Sequence, residues 1–353
     1  ENFRTMSDAA LSGGVTSVVT MPNNAPVIDN ISMVDFLKRR GRDKSRINIF
    51  PAAALTKNTD GLQMTEFGLL KKKGIVAFTD GIKSVQDPQL MLRIMIFASQ
   101  SKSLIVQHAE DNILSKGGLI NDGEISTRLG LQGISSLAEK IIIERDLAFL
   151  EENFCRYHIS QVSSEKTISV IKKAKEEGKI FTAGVSINNL SLNENDIGDF
   201  KTFLKLSPPL RTENDRLSLV EGIKDGTIDV IVSDHKPEDE ESKRLTFAQA
   251  ATGAIGVETL LSLALELFHN KSIKLEKIIS AMTYNPAKIL DIKKGSLDIG
   301  NDADLCILDI NKPWVVEKNK LKSKSKNTPI ENRKLQGRVV KTFIKGELAF
   351  ERN

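Results

Sequence analysis

Short apolar segments alternate with amphipathic ones along most of this chain, and that alternation leaves few folds open. Strand candidates recur at 15–20, 47–53, 75–78, 104–107, 156–162, 180–185 and 227–233. They are short and rich in aliphatic side chains, as buried parallel strands are. Amphipathic runs read as helices at 5–11, 64–73, 88–101, 135–152 and 164–177. Gly74 and Gly178 fall where helix C-caps would stand. Strands separated by helices at this spacing imply a parallel sheet. Seven such units in about 300 residues fit an (α/β)8 barrel better than an open sheet.

From Gly295 the texture changes. Gly295 to Gly300 and Asp302-Ala303-Asp304 are turn-rich. Residues 305–308 and 337–350 then alternate as strands do, with a turn at Lys345-Gly346. The division is a distorted, TIM-like barrel over 1–294, its first strand lying upstream, and a small β unit over 295–353. So few strands cannot stand alone, so the β unit reads as a partial β-sandwich.

With 353 residues, 40% hydrophobic, the chain can bury a large core without disulfides. Its 50 basic and 46 acidic residues leave a net charge of +4, no signature of a nucleic-acid partner. Lys320, Lys322, Lys324 and Lys326 form one short cluster, read as a solvated loop. Cys155 and Cys306 stand far apart in apolar surroundings, as core cysteines of a reducing compartment do. No run approaches the roughly 18 apolar residues of a membrane helix. The expectation is a soluble, cytoplasmic protein.

Barrel chemistry sits at strand C-termini. Those ends carry Met21-Pro22-Asn23, Thr79-Asp80-Gly81, His108-Ala109-Glu110-Asp111, His158 with Gln161, Asn188-Asn189, and Asp234-His235. Further ordered motifs are Gly13-Gly14-Val15-Thr16, Leu129 to Ile134, Pro208-Pro209-Leu210-Arg211, Asn285-Pro286-Ala287 and Asn327-Thr328-Pro329. Taken together these segments resemble type I dihydroorotases of the amidohydrolase superfamily over essentially the whole chain. The resemblance implies a barrel with zinc at the strand ends, where zinc-activated hydroxide opens or closes the dihydroorotate ring.

The same resemblance exposes losses. Its pattern has six metal ligands, two of them in a His-x-His motif that would precede residue 1 and four inside the chain. His108 matches one ligand, and Asp234 matches the aspartate that is both ligand and general base. The family's Phe-Ser/Thr-Asp-Asp-Gly places Gly81 where the metal-bridging aspartate belongs, with Asp80 one position early. Gln161 stands where the family has a ligating histidine. The resemblance also implies a substrate pocket with Asn23, with Ser207 for an asparagine and with Glu238 for a histidine. Two remaining donors fall short of the three or four that zinc needs.

His158 is expected in the barrel wall, facing away from Gln161. Arg211 is expected to pair with a local carboxylate. Asp234-His235 is not a dyad, because adjacent strand residues point to opposite faces. Three functions compete. The first is a non-catalytic homologue, a pseudoenzyme with a degenerate zinc site, serving as a structural subunit with aspartate transcarbamoylase. The second is a true zinc dihydroorotase of pyrimidine biosynthesis, with His-x-His upstream. The third is an amidohydrolase for another cyclic amide, with Glu238, Asn188 and Asn189 lining the pocket. A homodimer is expected in each case.

Overall fold

The computed structural model describes residues 1–352. Seven parallel strands form one curled sheet in the order β1-β2-β3-β4-β7-β8-β9. They are β1 (Ser17–Thr20), β2 (Asn48–Ala53), β3 (Ala77–Phe78), β4 (Leu104–Gln107), β7 (Arg156–Ile159), β8 (Thr182–Ser186) and β9 (Val230–Val232). Each lies within or beside an expected strand. A two-stranded parallel pair, β5 (Ile120–Asn121) and β6 (Gly133–Ile134), interrupts the series between β4 and β7.

The pleat decides which side chains face inward. Along β4, Leu104 and Val106 join Ala52, Ala77 and Val19 in a separate apolar cluster closed by Ile289 and Leu290. Ile105, between them, belongs to the large core beneath the helices. Gln107 also points outward, donating to Asp146 of helix Ser136–Glu152 at 3.3 Å. The next residue, His108, therefore turns toward the mouth of the curl.

The helices pack outside this sheet through Met91, Ile94, Ile142 and Ile171, all fully buried. Gly74 and Gly178 take left-handed φ of +87° and +85°, as the C-cap reading requires. Helix Ile31–Lys44 has only Val34, Leu37 and Gly41 buried, so its apolar stripe is thin. Asn30 caps it, accepting from the Met33 amide at 3.1 Å.

The C-terminal strands β10 (Leu305–Val315), β11 (Lys334–Ile344) and β12 (Glu347–Glu351) make one antiparallel sheet. Lys345 and Gly346 both have positive φ, the geometry of a two-residue hairpin turn. The expected sandwich is thus a single layer among the described residues. Its Val339, Leu308 and Ile310 pack on Leu261 and Leu265 of helix Leu260–His269. Of the lysine cluster, Lys320 pairs with Glu317 at 2.7 Å, and Lys326 donates to the carbonyls of Leu321 and Ser323. Both cysteines are free. No helix is long and apolar enough to cross a membrane.

Candidate active site

β9 ends at Val232, and two residues later Asp234 adopts φ +47°. Aspartate tolerates that left-handed conformation better than most residues. Its side chain lies deep among protein atoms, and desolvation pushes the carboxyl up to about 6. Hydrogen bonds from Gln161 and Ser186 oppose that rise. Ser186 Oγ donates to Asp234 Oδ2 at 3.2 Å and accepts from the Asn188 amide at the same distance. Gln161 thus meets Asp234 as a neutral amide where the family pattern has a histidine beside a metal. β7 ends at Ile159, so Gln161 has left the pleat that set His158 apart from it.

His158 sits between strands. Its Nδ1 lies 2.8 Å from Thr182 Oγ1, and burial holds its pKa at about 4. His108 is buried as well, with its pKa likewise down to about 4 through desolvation. Its Nε2 lies 3.3 Å from Ser207 Oγ, across 99 residues of sequence. Among the described residues no hydrogen bond joins His108 to Asp234.

The β3 end carries no donor into the mouth. Gly81 has φ +73°, and a Cβ built there would lie 2.7 Å from Asn23 Cγ. Asn23 thereby occupies the volume into which an aspartate side chain would start. Asp80 does not substitute. Its carboxylate accepts from the Thr56 amide at 2.9 Å and from Thr56 Oγ1 at 2.5 Å, holding it in the loop after β2. Glu238 pairs with Lys236 at 3.6 Å, and its amide donates to Asn327 at 3.4 Å. His235 faces away from Asp234, accepting from the amides of Gly256 and Val257.

Two features were not foreseen. Asn188 is 1% exposed, and its side-chain amide lies beside Asp234 without a well-formed hydrogen bond. Arg211 does not form its expected ion pair. Its guanidinium donates to Ser163 Oγ, Asn121 Oδ1 and the Ile134 carbonyl. Glu194 accepts from Asn121, and Glu139 accepts from Ser163 and Ser164. The carboxylates stand one step behind, because β5 and β6 themselves, through Asn121 and Ile134, supply acceptors first.

Zinc asks for three or four nitrogen, sulfur or carboxylate donors converging on one point. Among the described residues no three His, Cys, Asp or Glu side chains come together that way. Gln161 offers Asp234 only a neutral amide, Gly81 has no side chain and Asp80 is turned aside toward Thr56. The residues present do not fit a two-zinc centre.

Comparison with known proteins places this arrangement. A family profile described as "Dihydro-orotase-like" matches residues 2–167. The chain is 41% identical over 351 residues to the dihydroorotase of Ehrlichia canis, covering 99% of this chain and 78% of that one. It is 40% identical to the dihydroorotase of Syntrophus aciditrophicus, covering 99% and 82%. In structure it is similar to the L-hydantoinase (dihydropyrimidinase) of Arthrobacter aurescens, with a TM-score of 0.88 and 25% identity over 99% of this chain and 80% of that one. Identity sustained over nearly the whole chain, on a curled parallel sheet of this kind, shows that the chain belongs to the dihydroorotase family.

Proposed function

We propose that this member of the family does not carry out the hydrolysis, and that it serves as a structural subunit beside aspartate transcarbamoylase, itself as a homodimer. The observation that supports the reading is the environment of Asp234. The residue that matches the family's general base accepts from Ser186 Oγ at 3.2 Å, and beside it the neutral amide Gln161 stands where the family pattern has a ligating histidine. Without a bound cation, water keeps its bulk acidity and supplies little hydroxide at neutral pH. The partner is proposed from the family resemblance alone.

Ring opening of dihydroorotate tests the reading. It is measured with added zinc, for the protein alone and mixed with aspartate transcarbamoylase, alongside metal analysis of the purified chain. The expected outcome is no turnover above background, no change with Asp234→Ala, and co-purification of the two proteins. Two equivalents of zinc, with turnover that Asp234→Ala abolishes, would establish the second reading, an active zinc dihydroorotase of pyrimidine biosynthesis. That reading draws support from the 40–41% identity to dihydroorotases and from the presence of His108 and Asp234.

A further inference from the structure

A cavity of about 280 Å³ lies between the C-terminal sheet and the start of helix Leu260–His269. Trp314 of β10 and Arg338 of β11 line it, with Arg352, Lys320, Glu258 and Glu317. The Arg338 guanidinium stacks on the Trp314 ring, its Cζ 4.6 Å from the ring centroid. Trp314 is fixed in turn, donating through Nε1 to Ser262 Oγ and the Gly337 carbonyl at 3.2 Å each.

The charges around this cavity are unevenly satisfied. Arg338 Nε is buried without a hydrogen-bond partner, and Arg338 forms no ion pair among the described residues. The Arg352 guanidinium donates only to the carbonyls of Val339 and Ser12, both uncharged. The two acidic residues are already engaged. Glu258 accepts from Ser12 Oγ, the Lys322 amide and the Ser323 amide at 2.7–2.8 Å. Glu317 pairs with Lys320 at 2.7 Å. Three cations against two anions leave one net positive charge, and Glu258, near both guanidiniums, forms a direct ion pair with neither.

Partly buried like charges repel, and an unpaired guanidinium edge with an aromatic ring under its face is a ready fork for an oxyanion. Burial, and then the nearby Arg338, lower the pKa of Arg352 to about 10 against the opposing effect of Glu258. An anion in the cavity would offset both effects. We propose that this cavity is a binding site for a small oxyanion, a carboxylate or phosphate held by Arg338 and Arg352. It is separate from the strand-end site and does not rest on the reading of Asp234.

Trp314 is the only tryptophan in the chain, so its fluorescence reports on this cavity alone. Inorganic phosphate and malonate are titrated in separate arms at constant ionic strength, with sodium chloride as the balancing salt. A saturable change with either probe is expected, the better probe identifying the anion class. Arg338→Gln should weaken it by about one to two orders of magnitude, the loss expected when a hydrogen bond to a charged group is removed. Arg338→Lys keeps the charge but loses the fork, and should fall between the two. A thermal melt establishes that each variant is folded. No saturable change with either probe, or native affinity in Arg338→Lys, overturns the proposal.

Discussion

Two polar regions of the barrel are satisfied to different degrees. Around Arg211 every charged group has partners: Ser163, Asn121 and Ile134 receive the guanidinium, while Glu139 and Glu194 accept from serines and an asparagine. Around Asp234 the adjoining groups are amides and a hydroxyl, with Lys236 nearby, and the Asn188 amide makes no well-formed hydrogen bond. Buried polar groups are almost always bonded, because an orphan forfeits its hydration without return. The contrast separates polar residues that hold the fold from polar residues that the fold merely tolerates. Stability measurements on the two regions should therefore diverge.

The largest effect is expected from Arg211→Met. It removes the cation from among Glu139, Glu194 and Asn121, and leaves buried carboxylates uncompensated. Urea unfolding should show a loss of about 3–5 kcal/mol. A loss under about 1 kcal/mol would mean that the two regions do not differ as described.

His158 gives the next effect, and it depends on pH. Its folded pKa of about 4 lies below the ordinary value of 6.5, so the unfolded chain binds the proton first. Stability from this group is present above pH 6.5 and is lost as pH falls toward 4. The shift corresponds to roughly 3 kcal/mol. His158→Asn keeps an acceptor for Thr182 but cannot titrate, so its melting temperature should fall less than the native protein's on acidification. Parallel pH curves would remove His158 from the account.

Gly81→Ala should cost about 1–3 kcal/mol, because alanine is strained at φ +73°. In an Asn23→Ala background the steric part should vanish and the backbone part remain. Full recovery there would show that contact with Asn23 alone keeps the position open.

Asn188→Leu is the smallest expected change, within about 1 kcal/mol of native and on the stabilising side. Replacing an unpaired polar group by an apolar one of similar size sacrifices no bond. A loss of about 2 kcal/mol or more, the cost of a broken buried bond, would show that Asn188 has a partner in solution.

All seven strands of the curled sheet were legible, because each is a compact apolar run between polar loops. The helix Ile31–Lys44 was not, since three buried positions in fourteen residues make too weak a periodic signal. β5 and β6 are two residues each and carry no pattern of their own. At the site, Gly81, Gln161 and Asp234 could be placed by motif. What surrounds them could not, because His108 meets Ser207 and Asp234 meets Ser186 across 99 and 48 residues. Arg211 shows the same limit: an arginine's need for partners is plain from its chemistry, but the identity of those partners is set by loops packed from elsewhere.

The strands at the C-terminal end are fastened to helix Phe3–Ser12. Thr342 Oγ1 donates to the Leu11 carbonyl at 2.8 Å, and Arg352 Nη2 to the Ser12 carbonyl at 2.7 Å, over 331 and 340 residues. Ala9, Ala10 and Leu11 share an apolar cluster with Ala349 and Phe350. At a synthesis rate of roughly 5–20 residues per second, this helix leaves the ribosome on the order of half a minute before the strand that covers it exists. Through that interval its apolar face has no native partner on the β12 side. Nascent chains halted before residue 347 should for that reason be the species that a chaperone retains longest.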